Sequence, residues 1–174
     1  MHATDPAPST AAPLPAALAT SGAAERLRIL NAYHTIAMVG LSADEMRPSH
    51  FAAIYMQAEG YDIIPVNPRY AGQTILGQPV YASLAEIPRP VEIVDVFRKA
   101  EAMPPIADEA IQIGARVLWM QLGIVNEEAA ARARAAGLDV VMNRCVKIEH
   151  ARFFGGLNLV GMNTGVVTAR RLMG

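Results

Sequence analysis

A chain of 174 residues with 52% hydrophobic and 18% charged residues has the make-up of one compact domain with a real core and is short for two. Its net charge of -1 excludes a broad electrostatic grip on DNA or RNA, so no nucleic-acid partner is expected and any anion site must be local. One cysteine, Cys145, excludes an internal disulfide and, without a Cys/His cluster, a thiolate zinc site; with no apolar run near the ~20 residues of a membrane helix, a cytoplasmic protein without a membrane segment is expected.

Residues 1–22 are rich in Ala, Pro, Ser and Thr and lack a basic start or a continuous apolar stretch, which reads as a disordered tail rather than a targeting signal. From Ala23 to Tyr33, Leu27, Ile29 and Leu30 recur at helical spacing, predicting a leading helix. Residues 35–40 form a short apolar run without polar alternation, the pattern of a strand covered on both faces. Gly40 stops that strand. The turn that follows, a candidate phosphate-binding loop, leads into a helix over about 49–59, with Ser49 as its expected N-cap and Gly60 as its stop.

A second strand is predicted over 61–66, ending where Pro68 forbids further pairing. The Gly- and Pro-rich stretch 71–90 holds a turn or small hairpin at 74–81 and then a short Ser83-capped helix. Strand three spans 91–97, and a helix follows from about Glu101 or Pro104 to Ile113, tolerating Pro104 and Pro105 in its first turn. Strand four is 116–120, and Asn126 caps a helix over 127–136 that carries Glu127 and Glu128 in its first turn. Strand five is 138–142.

Strands alternating with helices of about ten residues imply βαβ units and an α/β, Rossmann-like open parallel sheet of five strands with helices on both faces, expected in the order 3-2-1-4-5. Beyond this domain of residues 23–152 lies an apolar, Gly-rich extension, 153–174, expected to pack on the domain or at a homodimer interface and read as a pair of short strands.

In such a sheet a ligand lies beyond the carboxyl ends of the strands. The five rim segments (40–49, 67–72, 97–100, 121–125 and 143–149) hold six Lys or Arg, at 47, 69, 98, 99, 144 and 147, against three acids; the remainder is acidic, nine against thirteen. A basic rim on an acidic chain suits a phosphate-rich small ligand. The dinucleotide fingerprint is incomplete, since Ser42 stands where a second glycine belongs and no acid follows strand two, where Asn67 and Arg69 stand instead. NAD is therefore disfavoured, and a ligand with an extra ribose phosphate, NADP or coenzyme A, is favoured.

The runs Thr35-Ile36-Ala37-Met38-Val39-Gly40-Leu41-Ser42, Arg47-Pro48-Ser49, Ile64-Pro65-Val66-Asn67-Pro68, Ile75-Leu76-Gly77-Gln78-Pro79-Val80-Tyr81, Val94-Asp95-Val96-Phe97-Arg98, Trp119-Met120-Gln121-Leu122-Gly123 and Val141-Met142-Asn143-Arg144-Cys145 resemble those of small stand-alone CoA-binding proteins. These resemble in turn the CoA-binding domain of succinyl-CoA synthetase α subunits. The likeness covers about Glu25 to Arg152 and implies a CoA or acyl-CoA ligand across the strand ends. It implies that Gly40, Leu41, Ser42, Arg47 and Ser49 meet the phosphates and that Asn67, Pro68 and Arg69 lie near the adenosine. Val96, Phe97 and Arg98 would run along the nucleotide, with Gln121, Leu122, Gly123 and Asn143 towards the pantetheine arm. No second domain is present to supply a phosphohistidine or an ATP site, so ligase activity does not carry over.

A binding module without chemistry of its own, regulatory or a carrier, is the leading expectation; an NADP-dependent oxidoreductase or a redox-responsive nucleotide-binding protein is the alternative. No acid, base or hydride-acceptor constellation supports an enzyme. Cys145, with Arg144 and Lys147 nearby, invites a lowered pKa and pairing with the CoA sulfur, although a lone cysteine is more often inert. His150 as its base lacks an orienting third group. Asp95 inside an apolar strand calls for a structural hydrogen bond first and a ligand role second. Trp119 and Met120 are core candidates, and Arg132 and Arg134 a solvated helix face.

Overall fold

The structure, a computed structural model, describes residues 21–155. The expected tail up to residue 20 and the extension from residue 156 lie outside the described residues. Five parallel strands form the main sheet: β1 (Thr35–Val39), β2 (Asp62–Val66), β5 (Ile93–Val96), β6 (Val117–Met120) and β7 (Asp139–Val141). A two-stranded hairpin, β3 (Thr74–Ile75) and β4 (Gln78–Pro79), sits in the connection after β2.

Both faces are covered, as the unalternating apolar strands require. On one face, α1 (Ala23–Ala32), α2 (Pro48–Ala58) and α5 (Val146–Phe154) bury Ile29, Leu30, Met56 and Val146 against Ile36, Met38, Ile63, Ile93 and Trp119. On the other, α3 (Met103–Gln112) and α4 (Glu127–Ala135) lay Met103, Ala107, Ala110, Ala129, Ala130 and Ala133 over Ala37, Val39, Ile64, Val94 and Leu118. Small alanines let α3 and α4 lie close together, while the bulk of the sheet residues fills the space beneath them. Asn126 caps α4 as expected, its Oδ1 accepting from the Ala129 N–H at 2.8 Å. Trp119 is fully buried, and its indole N–H donates to the Arg144 carbonyl at 2.7 Å.

The strand order is β2-β1-β5-β6-β7. In chain order of the five long strands this is 2-1-3-4-5, which overturns the expected 3-2-1-4-5. The reason lies in Pro65. The outer edge of β2 offers the Pro65 carbonyl, which accepts from the Tyr81 N–H at 3.0 Å, and the Asn67 N–H, which donates to the Tyr81 carbonyl at 2.9 Å. Pro65 presents no N–H along that edge, and a strand interrupted in this way is suited to an edge, where only the short bridge through Tyr81 need form. The third long strand therefore pairs on the other side of β1, with Ile36 opposite Ile93 and Val39 opposite Val96.

Three local expectations also change. Ser49 is not the N-cap of α2. Arg47 holds that place without a side-chain cap bond, Pro48 is the first helical residue, and Ser49 Oγ instead accepts from the Ser42 N–H at 3.2 Å. The helix expected after Ser83 is a single 3-10 turn, Leu84–Glu86, with no side-chain cap. Phe153 and Phe154, expected to open a strand pair, end α5, a helix that gave no warning because Cys145 at its N-cap makes no side-chain cap bond. A buried ion pair ties this helix to the first one: Arg26 Nε donates to Glu149 Oε2 at 2.8 Å, and Arg26 also reaches the Ser21 carbonyl.

Candidate functional site

The change of direction in the sheet puts its switch point between the carboxyl ends of β1 and β5. Gly40 sits there with φ +90°, and the Gly40 N–H donates to the Val66 carbonyl at 2.8 Å while the Phe97 N–H donates to the Val39 carbonyl at 2.8 Å. A Cβ on Gly40 would stand 2.9 Å from the Phe97 carbonyl oxygen and 3.2 Å from Arg98 Nε. Only glycine lets the first strand end against the third one so closely.

Above this point opens a cavity of about 1060 Å³. From the loop after β1 it is lined by Gly40, Ser42, Arg47 and Ser49; from the end of β2 by Asn67, Pro68 and Arg69; and from the end of β5 by Phe97 and Arg98. Gln121 and Leu122 reach it from the end of β6. Four expected site residues do not line it. Leu41 and Val96 are fully buried in the two faces of the core, and the Gly123 N–H is tied to Asn143 Oδ1 at 2.8 Å, a bond that closes the loop after β6.

Asp44, Pro48, Tyr70, Lys99, Ile124, Cys145 and Ile148 also line the cavity. Of these the sequence points to Lys99, as a rim base next to Arg98, and to Cys145, as a thiol near the CoA sulfur, and it gives the other five no ligand role. The ring of Tyr70 carries the Arg69 guanidinium 5.6 Å from its centre, a pairing that an aromatic directly after a rim arginine signals in the sequence. Cys145 and Ile148 enter because α5 starts at the rim, and that helix had no cap signal to announce it.

The loop between β1 and α2 is braced from within. Ser42 Oγ accepts from the Asp44 N–H at 3.1 Å, Ser49 Oγ accepts from the Ser42 N–H, and His50 Nδ1 donates to the Ser42 carbonyl at 2.8 Å. Both serine hydroxyls accept from the backbone, which leaves their O–H protons free to donate outward. Asn67 is spent inside the chain: its Nδ2 donates to the Leu41 carbonyl at 2.9 Å, while its Oδ1 accepts from the Arg69 N–H at 3.1 Å and from Arg98 at 3.3 Å. It clamps the ends of β1, β2 and β5 together. Of the rim bases, Arg47, Arg69, Arg98 and Lys99 reach the cavity, whereas Arg144 and Lys147 do not, Arg144 turning back to the Asn143 carbonyl at 3.1 Å. Against these four cations the cavity wall carries one acid, Asp44, itself 3.5 Å from Arg47.

A family model for the CoA binding domain matches residues 34–151. The chain belongs to that family. A Bacillus subtilis (strain 168) relative, YneT, is 44% identical over 128 residues, which cover 74% of this chain and 93% of the relative. Among solved structures, a Thermus thermophilus protein is 35% identical with a TM-score of 0.74, covering 77% of this chain and all of its own, and a Pyrococcus horikoshii OT3 protein is 36% identical with a TM-score of 0.73, covering 82% and 98%. The match thus spans nearly the whole of each of those relatives.

Two expectations about single residues fall within the domain. Burial pushes the Cys145 thiol up, and the nearby charge of Asp95 adds to this; hydrogen bonds from the backbone of Ile148 and Lys147 and the Lys147 charge oppose it without reversing it. The lowering that Arg144 and Lys147 invite does not occur, in keeping with the inert thiol expected of a lone cysteine, because burial outweighs the nearby positive charge. His150 is no base for it. The ring hydrogen-bonds Tyr55 at 3.0 Å through Nδ1 and stacks on Phe154 at 4.5 Å, and burial lowers its pKa. Arg132 does lie on a solvated face, paired with Asp108 at 3.0 Å and Glu128 at 2.5 Å. Among the described residues no group of three or more His, Cys, Asp or Glu side chains is placed to hold a metal ion, and no helix is long and apolar enough to cross a membrane.

Proposed function

We propose that the cavity binds coenzyme A, free or as an acyl thioester, without performing chemistry on it, in a regulatory or carrier role. One observation carries the reading: Arg47, Arg69, Arg98 and Lys99 converge on a single cavity at the switch point of a chain whose net charge is -1. Cations so concentrated answer a ligand with several phosphates, and guanidinium groups do so with paired donors. The hydroxyls of Ser42 and Ser49 would add donors next to Arg47, and Gly40 would let a phosphate approach the backbone. Arg69 and Pro68 would meet the nucleoside and its ribose phosphate, for which the carboxylate that holds an unphosphorylated ribose is absent from the end of β2. Phe97 and Arg98 would run along the nucleotide. Gln121 and Leu122 would bound the course of the pantetheine arm, whose thiol is the group that carries an acyl chain, with the Gly123–Asn143 bond bracing the loop that carries them.

Thermal unfolding with CoA, dephospho-CoA and NADPH tests this. A ligand at a hundredfold excess over its Kd stabilises the folded state by about 2.7 kcal/mol. CoA is expected to raise the melting temperature most and dephospho-CoA less. Arg47→Ala is expected to weaken CoA binding by about 1.5–3 kcal/mol, the worth of a charge-assisted contact. Stabilisation by NADPH and not by CoA would refute the reading in favour of an oxidoreductase.

A further inference from the structure

The CoA reading makes no use of Asp95, the polar side chain buried deepest beneath the cavity. It stands in β5 between Met38 of β1 and Trp119 of β6 with no accessible surface. Its Oδ1 accepts from Gln121 Nε2 at 2.7 Å, and its Oδ2 has no partner. Burial pushes the carboxyl up to about 7, against the pull of the Gln121 hydrogen bond. As a piece of scaffold this is a poor arrangement, since an apolar residue of similar volume would avoid the cost of burying a half-satisfied acid.

What the carboxylate does is define its neighbour. Because Asp95 Oδ1 accepts from Nε2, the Gln121 amide turns its NH₂ inward and its carbonyl oxygen outward. Gln121 is only 4% exposed, yet it lines the cavity, so the outward end is the one a ligand meets. That end is an acceptor. An acceptor repels phosphate and attracts N–H, and the residues that follow Gln121 in the lining, Leu122 and Ile124, are apolar. Within CoA, the part with secondary amide N–H groups separated by methylenes is the pantetheine arm.

We propose that Asp95 is a positioning residue: by holding Gln121 through Nε2, it presents Gln121 Oε1 to the cavity as the acceptor for an amide N–H of the pantetheine arm. The proposal rests on the CoA reading of the cavity and assigns one end of the ligand a specific anchor. It also gives a use to an acid that is buried with only one of its two oxygens partnered.

Calorimetry at pH 8 on the full chain, with CoA and with adenosine 3′,5′-bisphosphate, which lacks the arm and its amides, separates the possibilities. Asp95→Leu and Gln121→Met are each expected to lower CoA affinity about 3- to 10-fold, the worth of one hydrogen bond, and to leave the bisphosphate within about twofold. The double variant should lose no more than either single, because Asp95 acts only through Gln121. Asp95→Asn, which keeps an acceptor oxygen for Gln121, should restore CoA affinity to within about threefold of the unsubstituted chain. If Asp95→Leu does not fold, Asp95→Val carries the same comparison. Equal losses for both ligands, additive losses in the double variant, or a CoA affinity untouched by removal of the carboxylate would overturn the proposal while leaving the CoA reading standing. If the unsubstituted chain binds neither ligand, the CoA reading falls and the proposal with it.

Discussion

Gly40 is where fold and site meet, and replacing it separates two costs that are usually confounded. Gly40→Ala places a side chain at φ +90° and puts its Cβ 2.9 Å from the Phe97 carbonyl oxygen. The left-handed backbone costs an alanine about 1–2 kcal/mol, and forcing the ends of β1 and β5 apart adds roughly 1–3 kcal/mol of overpacking strain. The stiffer unfolded chain returns about 0.4–1 kcal/mol. A net loss of about 2–4 kcal/mol follows. Gly60 offers the control, since it shares φ +90° but has nothing within 4 Å of its added Cβ. Gly60→Ala should therefore lose only about 0.5–1.5 kcal/mol, the backbone cost alone less what the unfolded state returns. Urea unfolding of the two variants gives the difference directly from the midpoints at constant slope. Equal losses would refute the close approach of β1 and β5, and with it the account of why the switch point needs glycine. CoA affinity, measured on the same samples, should fall for Gly40→Ala and hold for Gly60→Ala.

Three other outcomes follow from the same geometry. Arg26→Ala should destabilise the chain by roughly 2–4 kcal/mol in urea unfolding, because Glu149 is left buried with only Arg152, 3.4 Å away, as partner, whereas Arg26→Met with Glu149→Leu should cost less; the reverse ranking would refute a buried pair. Cys145 should react with a disulfide reagent only as pH rises above the ordinary cysteine range, because burial raises its pKa, and bound CoA should slow it; fast reaction at neutral pH would show that the thiol is not held under the chain. Asp95 makes stability depend on pH in an unusual direction. Its folded pKa of about 7 lies above the unfolded value of about 3.9, so the folded state holds a proton that the unfolded state has released, and stability falls as pH rises from about 4 to 7 and then levels. Across that range the urea midpoint of the unsubstituted chain should fall relative to that of Asp95→Leu, in which His150, whose lowered pKa acts with the opposite sign, still titrates.

Much of the domain was legible because its strands are short, apolar and unalternating. A run such as Thr35–Val39 announces a strand covered on both faces, and a glycine or proline marks nearly every strand or helix end. The rim was legible as well, since residues just past each strand must lie together in any parallel sheet, whatever the order of its strands. Two residues carry more than their type suggests. Pro65 suits an edge strand, which speaks against an order that places strand two between two neighbours. Ser49 has the side chain of a cap, but Pro48 before it fits the first helical position, which moves the cap back to Arg47.

The class of fold, the places where strands end and the excess of positive charge at those ends thus follow from local periodicity and residue type. Which rim residues face the cavity and which face the core depends on how the strands and helices assemble. Leu41 and Val96 stand beside cavity residues in the chain yet point into the hydrophobic faces, and Arg144 folds back on its own loop while Arg98 reaches Asn67. The direction of a side chain at the end of a strand is set by pleat, register and the helix above it, and those are properties of neighbours far apart in the chain. The same holds for Asp95: the sequence shows an acid in an apolar strand, but that its partner is Gln121, 26 residues away on the next strand, is settled only when β5 and β6 lie side by side.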